Sequence, residues 1–153
     1  MTKNEHFPRG GTSVLQKASM PDAHSAVPAE TTEGEIASLF DRWNRALQSG
    51  DPQRVVANYA NRSILLPTMS GRARLTPSEK LEYFREIMEA QPAGEVTLRQ
   101  ITINGTMAVD TGHYTFRFAK TGQEVAARYS FTYRWDGQQW LIVSHHSSPL
   151  PDP

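Results

Sequence analysis

Gln123–Pro149 reads QEVAARYSFTYRWDGQQWLIVSHHSSP, and its pattern decides the fold. Tyr129, Phe131, Tyr133 and Trp135 alternate with Arg128, Ser130, Thr132 and Arg134, the period-two signature of a strand whose two faces differ. A second apolar run begins at Trp140 and ends on His145-His146. Between the runs stands Asp136-Gly137, a strong hairpin signal because both residues tolerate positive φ.

Working upstream, Thr121-Gly122 and Asn104-Gly105 are two further turn signals of the same kind. Four strands are therefore expected from about Val96 to Ser147, joined as an antiparallel meander. Before Val96 the period changes to helical. Thr76-Pro77-Ser78-Glu79 fits a capping box with proline in the first turn, opening a helix that carries Leu81, Phe84, Ile87 and Met88. Ser63–Pro67 (SILLP) is a short apolar strand. Thr32-Glu33-Gly34-Glu35 is another capping-box pattern, and Ile36, Leu39, Phe40, Trp43 and Leu47 then form one helical stripe. Gly50 can close that helix. Asp51-Pro52 starts a short second one, expected to carry Val55, Val56 and Tyr59. Residues 1–30 mix Pro, Gly, Ser, Ala and scattered charges without a period. They are expected to be a flexible leader ahead of one domain at residues 31–151. Helices first and a meander after make an α+β domain, with the long helix laid across one face of the sheet.

The last two strands are apolar on both faces, which an antiparallel sheet with one wet face does not require. Three helices are too few to cover both faces. A second copy of the chain is the economical cover, and Tyr129, Phe131, Tyr133, Leu141 and Val143 are expected to form an outer interface.

Register sets which polar groups meet. A two-residue turn at Thr121-Gly122 would place Thr115 opposite Arg128 and His113 opposite Ser130. A two-residue turn at Asp136-Gly137 would place Arg128 opposite His145, and a three-residue bulged loop would place it opposite His146. An arginine flanked by histidines can bind a carboxylate bidentately, or can simply pair with a structural acid. Asp110 is a candidate general base, but the Asn104-Gly105 turn sets it opposite Arg99, so a cross-strand ion pair is the simpler reading. Adjacent strand residues point to opposite faces, so His145 and His146 cannot chelate one ion, and no metal is expected.

Sixteen acidic residues balance sixteen basic ones in the 153-residue chain. That removes the electrostatic case for nucleic acid or an anionic membrane surface. The absence of cysteine excludes disulfides and thiolate metal sites. No run approaches membrane-spanning length and no secretory pattern opens the chain, so a cytoplasmic protein is the expectation. No phosphate loop, nucleophile elbow or nucleotide fingerprint is present, and no cofactor is expected.

The helix with Trp43, the Asp51-Pro52 restart, the LLPT strand, ARYSFTYRW and the ending WLIVSHHSSPLP together resemble the nuclear-transport-factor-two-like superfamily. More closely, they resemble bacterial relatives of the calcium/calmodulin-dependent protein kinase II association domain, from about residue 33 to 151. Asp136-Gly137, Trp140, His146 and Ser148, preceded by Arg128, carry the most specific part. The resemblance implies a cystatin-like cone, a curved antiparallel sheet wrapped on a long N-terminal helix. It implies a hub that assembles with copies of itself, and a pocket that accepts small carboxylates. Arg128 and His146 match the family's pocket positions, with His113, Tyr59 and Trp43 as further lining. The family's other pocket arginine has no clear match, since Tyr114 or His113 occupies that region. No kinase activity is implied. The expected function is a non-enzymatic, homo-oligomeric association domain that binds a small acidic metabolite. The rival is a cofactor-free isomerase, dehydratase or hydrolase with His146 or Asp110 as general base.

Overall fold

The computed structural model describes residue 28 and residues 30–153; the leader expected at the N-terminus otherwise lies outside the described residues. Helix α1 spans Glu33–Gln48 and its N-cap Thr32 accepts the amide of Glu35. α2 is Pro52–Val56, opened by Asp51. β1 follows at Tyr59–Leu66, then α3 at Pro77–Ile87, which carries the full reciprocal capping box between Thr76 and Glu79. Four long strands complete the chain: β2 Pro92–Asn104, β3 Met107–Phe118, β4 Glu124–Trp135 and β5 Trp140–Pro149. The architecture is the expected α+β one, a curved five-stranded sheet in the order β1-β5-β4-β3-β2 with α1 across its concave face.

Two points go beyond the sequence reading. Tyr59 belongs to β1, not to the short helix, and β1, for which the sequence reading assigned no partner, runs parallel to β5. Pairing with β5 is a non-local event that no short window of sequence contains.

The faces are the larger correction. Ile36, Phe40, Trp43 and Leu47 of α1 are buried in one core with Tyr129, Phe131 and Tyr133, Phe131 completely. Those three aromatics were expected on an outer interface; they are the core. The apolar stripe of α1 needs an aromatic surface as its partner, and Tyr114 and Phe116 of β3 with Phe131 of β4 supply it. The phenylalanine and tryptophan rings interlock at centroid distances near 6 Å: Phe40 with Phe131 at 6.2 Å and Trp43 with Phe131 at 5.8 Å. Of the five residues expected outside, Leu141 and Val143 alone stay on the convex side, half-buried.

Loop lengths explain the registers. The β4–β5 connection is a four-residue loop, Asp136–Gln139, in which the Asp136 carboxylate accepts the amides of Gln138 and Gln139 at 2.8 Å. A bulge between Thr132 and Tyr133 then slips β5 by one more residue. Arg128 consequently faces Ser148, not His145 or His146. Phe131 faces His145, and Ser130 faces His146. On the other side a longer loop pairs Arg128 with His113 and leaves Thr115 opposite Ala126. Asp110 faces Ile101, with Arg99 opposite Gly112, a slip of two residues that keeps Arg99 and Asp110 on one face as diagonal neighbours.

Candidate functional site

The open end of the cone holds a cavity of about 40 Å³ between α1, α3 and the concave side of the sheet. That is space for about three waters or a few ligand heavy atoms. Most of its wall is apolar: Leu47, Phe84, Ile87, Phe116 and Ala127 are among the lining residues. One side is polar and continuous. Trp43 Nε1 donates to the Tyr59 hydroxyl at 3.2 Å, and that hydroxyl lies 2.8 Å from His145 Nδ1. His145 Nε2 lies 3.2 Å from the Tyr114 hydroxyl, which donates to Ser147 Oγ at 2.6 Å. Ser147 in turn hydrogen-bonds Thr68 Oγ1.

The donor inventory orients this chain. An indole N–H can only donate, so Tyr59 accepts from Trp43 and has its own hydrogen left for His145 Nδ1. A neutral His145 then carries its proton on Nε2 and donates to Tyr114. Each hydroxyl passes its hydrogen onward, and the free hydrogen at the end belongs to Thr68, on the cavity wall. His145 is held neutral because burial, reinforced by the neighbouring His146, pushes its pKa from 6.5 down to about 3. Burial likewise raises the pKa of both partner tyrosines well above the ordinary range, so each stays a protonated donor. His145 also stacks on Phe131 with centroids 4.0 Å apart.

Beside the cavity mouth runs the loop from Pro67 to Leu75. Arg74 on this loop exchanges both backbone bonds with Leu65, at 3.0 and 2.9 Å, and its side chain turns inward until only 6 % of the residue is exposed. The guanidinium lies over the Tyr83 ring at 5.6 Å. Its Nη1 makes only long contacts, 3.4 Å to the Glu79 carbonyl and 3.9 Å to the Glu82 carboxylate. Its Nε has no hydrogen-bond partner among the described residues. Arg74 borders an outer vestibule that shares Met69, Tyr83, Ile87 and Phe118 with the cavity.

The residues expected to share one pocket fall into two groups. Trp43 and Tyr59 join the concave network. Arg128, His113 and His146 do come together, but in a shallow groove on the convex face, with Leu98, Ser130 and Ser148. Asp110 is in neither group. Its carboxylate receives Arg99 Nε at 3.1 Å on both oxygens and the Tyr129 hydroxyl at 2.8 Å, so the ion pair expected from sequence is formed. Among the described residues no three His, Asp or Glu side chains converge as a metal site. No helix among them is long and apolar enough to cross a membrane.

Sequence reasoning weighed His145 only as a partner of Arg128 and missed Ser147, Thr68 and Arg74. The parity of His145 depends on a four-residue loop plus a bulge, and Asp136 followed two and three residues later by Gln138 and Gln139 was the available hint of the longer loop. Arg74 carried no signal, because nothing local separates it from Arg72, whose side chain is exposed.

The model of the calcium/calmodulin dependent protein kinase II association domain matches residues 32–151. The chain belongs to that family. A solved candidate association domain of this kind from Xanthomonas campestris is 39% identical, covers 85% of this chain and 96% of its own, and superposes with a TM-score of 0.75. A candidate dehydratase of the nuclear-transport-factor-two-like family from Streptomyces avermitilis superposes at 0.70 with 14% identity, over 78% of this chain and 96% of its own. A nuclear-transport-factor-two-like protein with a cystatin-like fold from Novosphingobium aromaticivorans gives 0.66 at 16% identity, over 78% and 82%. The last two likenesses speak for the fold alone. No curated protein matches. Within the association-domain family this chain has the cystatin-like cone that its sequence resembles, and its concave cavity holds His145 where the resemblance pointed to His146.

Proposed function

We propose that this association domain assembles with copies of itself through the convex face of the sheet and holds a small acidic ligand without transforming it. The observation that carries the assembly is the one-sided covering. The helices pack on the concave face, while Leu98, Val109, Leu141 and Val143 project from the convex side among threonines and serines. A sheet face of this composition is the shape of an isologous contact. Light scattering of the purified chain across a concentration series tests it. A dimer or larger species is expected, and Leu141→Glu with Val143→Glu should reduce its mass. A monomer at every concentration would sink the reading.

The ligand is a small carboxylate at the mouth of the concave cavity. Arg74 supports this, as a buried cation with a free Nε beside a cavity whose polar wall ends on the Thr68 hydroxyl donor. Titration calorimetry with acetate, butyrate and benzoate should show binding that Arg74→Gln abolishes while the assembly mass is unchanged. Loss of binding in Arg128→Ala instead, with Arg74→Gln unaffected, would move the acid to the convex groove with His113 and His146. The enzymatic rival has neither of its bases at the cavity: Asp110 is occupied by Arg99 and Tyr129, and His146 stands on the opposite face, in the convex groove.

A further inference from the structure

Each edge of a sheet exposes a row of backbone donors and acceptors that another strand can use. In this molecule most of that row is blocked. Along β1, Lys80 Nζ occupies the Ser63 carbonyl at 3.0 Å, Ser63 Oγ occupies the Ala60 carbonyl at 2.6 Å, and Leu65 is bridged on both sides by Arg74. Along β2, the other edge, the carboxamide of Asn44 reaches from α1 to Gly94. It donates to the Gly94 carbonyl at 2.8 Å and accepts the Gly94 amide at 2.9 Å. One donor and one acceptor on a planar group imitate a neighbouring peptide unit. A bulge between Val96 and Leu98 then interrupts the edge.

Leu98–Asn104, LRQITIN, has none of these devices. Among the described residues, its backbone groups make no hydrogen bond outside the β2–β3 ladder. It carries no lysine, proline or acid. Its one charge, Arg99, is on the inner face and tied to Asp110. Leu98 is 57% exposed, and Gln100, Thr102 and Asn104 are exposed too.

We propose that Leu98–Asn104 pairs antiparallel with the same segment of a second copy, joining two five-stranded sheets edge to edge. A second copy fits because the segment complements itself about a two-fold axis at Ile101. Ile101 then faces its own copy, Arg99 faces Ile103, Gln100 faces Thr102 and Leu98 faces Asn104, so no like charges meet. Ile101 and Ile103, half-buried in the single chain, gain cover from their copies. This inference rests on the self-assembly reading and adds a second surface to it. Using both the convex face and this edge yields an assembly larger than a dimer.

The test uses the full chain carrying Gln100→Lys and Thr102→Lys together, both at exposed positions. The two-fold places lysine opposite lysine, an unfavourable cross-strand pair. Solution mass and amide hydrogen exchange are followed over a concentration series. The wild-type chain is expected to exceed dimer mass, with alternate amides of Leu98–Asn104 exchanging more slowly as concentration rises. The double-lysine variant should fall to dimer mass with those amides fast. Mixing it with a Gln100→Glu, Thr102→Glu variant should restore the larger mass, which a merely misfolded variant could not do. Equal masses and equally fast amides in wild type and variant overturn the edge contact and leave the convex-face reading standing. Amides slow even at the lowest concentration mean that the chain covers its own edge, which also overturns it. A failed charge-swap rescue does the same, and a wild-type monomer throughout overturns both readings.

Discussion

A methyl group at position 112 would sit 1.9 Å from the carbonyl oxygen of Leu98, on the bulged stretch of β2. Backbone cannot yield there as a side-chain tip can, so Gly112→Ala should cost about 3 kcal/mol or more. Denaturant unfolding would show it, and a loss under about 1 kcal/mol would mean the bulge relaxes. His145 sets a different kind of limit. Its pKa is 6.5 in an open chain and about 3 in the fold. Between those values the unfolded chain binds a proton that the folded chain refuses. Stability is therefore intact above pH 6.5 and falls as the solution is acidified toward 3, by up to about 1.4 kcal/mol per pH unit from this one group. His145→Gln should lower stability at pH 7 yet flatten the decline between pH 6.5 and 4. An unchanged slope would assign the acid sensitivity to other groups. That His145 and not His146 does this was illegible in the sequence, where the two are adjacent and equivalent; a four-residue loop and one bulge decide which points inward.

At the scale of elements, local signals were dependable and edges were not. The Thr76–Glu79 capping box was legible because all its partners lie within four residues, and it formed as read. The start of β1 was misplaced because Tyr59 is held by a parallel pairing with Ile142 from the far end of the chain. Asn44 lies outside the apolar stripe of α1, and no local pattern marks it. In the fold it closes the β2 edge at Gly94, a position where a Cβ would also press to 2.9 Å from the Phe116 ring. Asn44→Ala removes both hydrogen bonds and should cost about 1–2 kcal/mol. It also lengthens the open edge, so turbidity on heating should begin earlier than the stability loss alone explains. Normal turbidity with a lowered melting point would confine Asn44 to a packing role.

For the whole molecule, the core runs from Ile36 on α1 to Ile142 on β5, within residues 30–153. A fragment of residues 30–153 should therefore melt cooperatively within about 2 °C of the full chain, a shift of less than about 1 kcal/mol at this size. Calorimetry on both would show it, and a much lower melting point would place the preceding residues on the domain surface. The amino-acid sequence by itself determined the helix starts, the hairpin meander, the α+β class and the family, since capping, turn chemistry and period are properties of short windows. It also determined the Arg99–Asp110 pair, because a slip of two residues preserves the face. The tertiary structure alone decided which side of β4 is core, which histidine meets the cavity, and that Arg74 stands buried beside the adjoining vestibule. Those outcomes turn on loop lengths and a single bulge, and a one-residue slip in a strand carries every side chain to the opposite face.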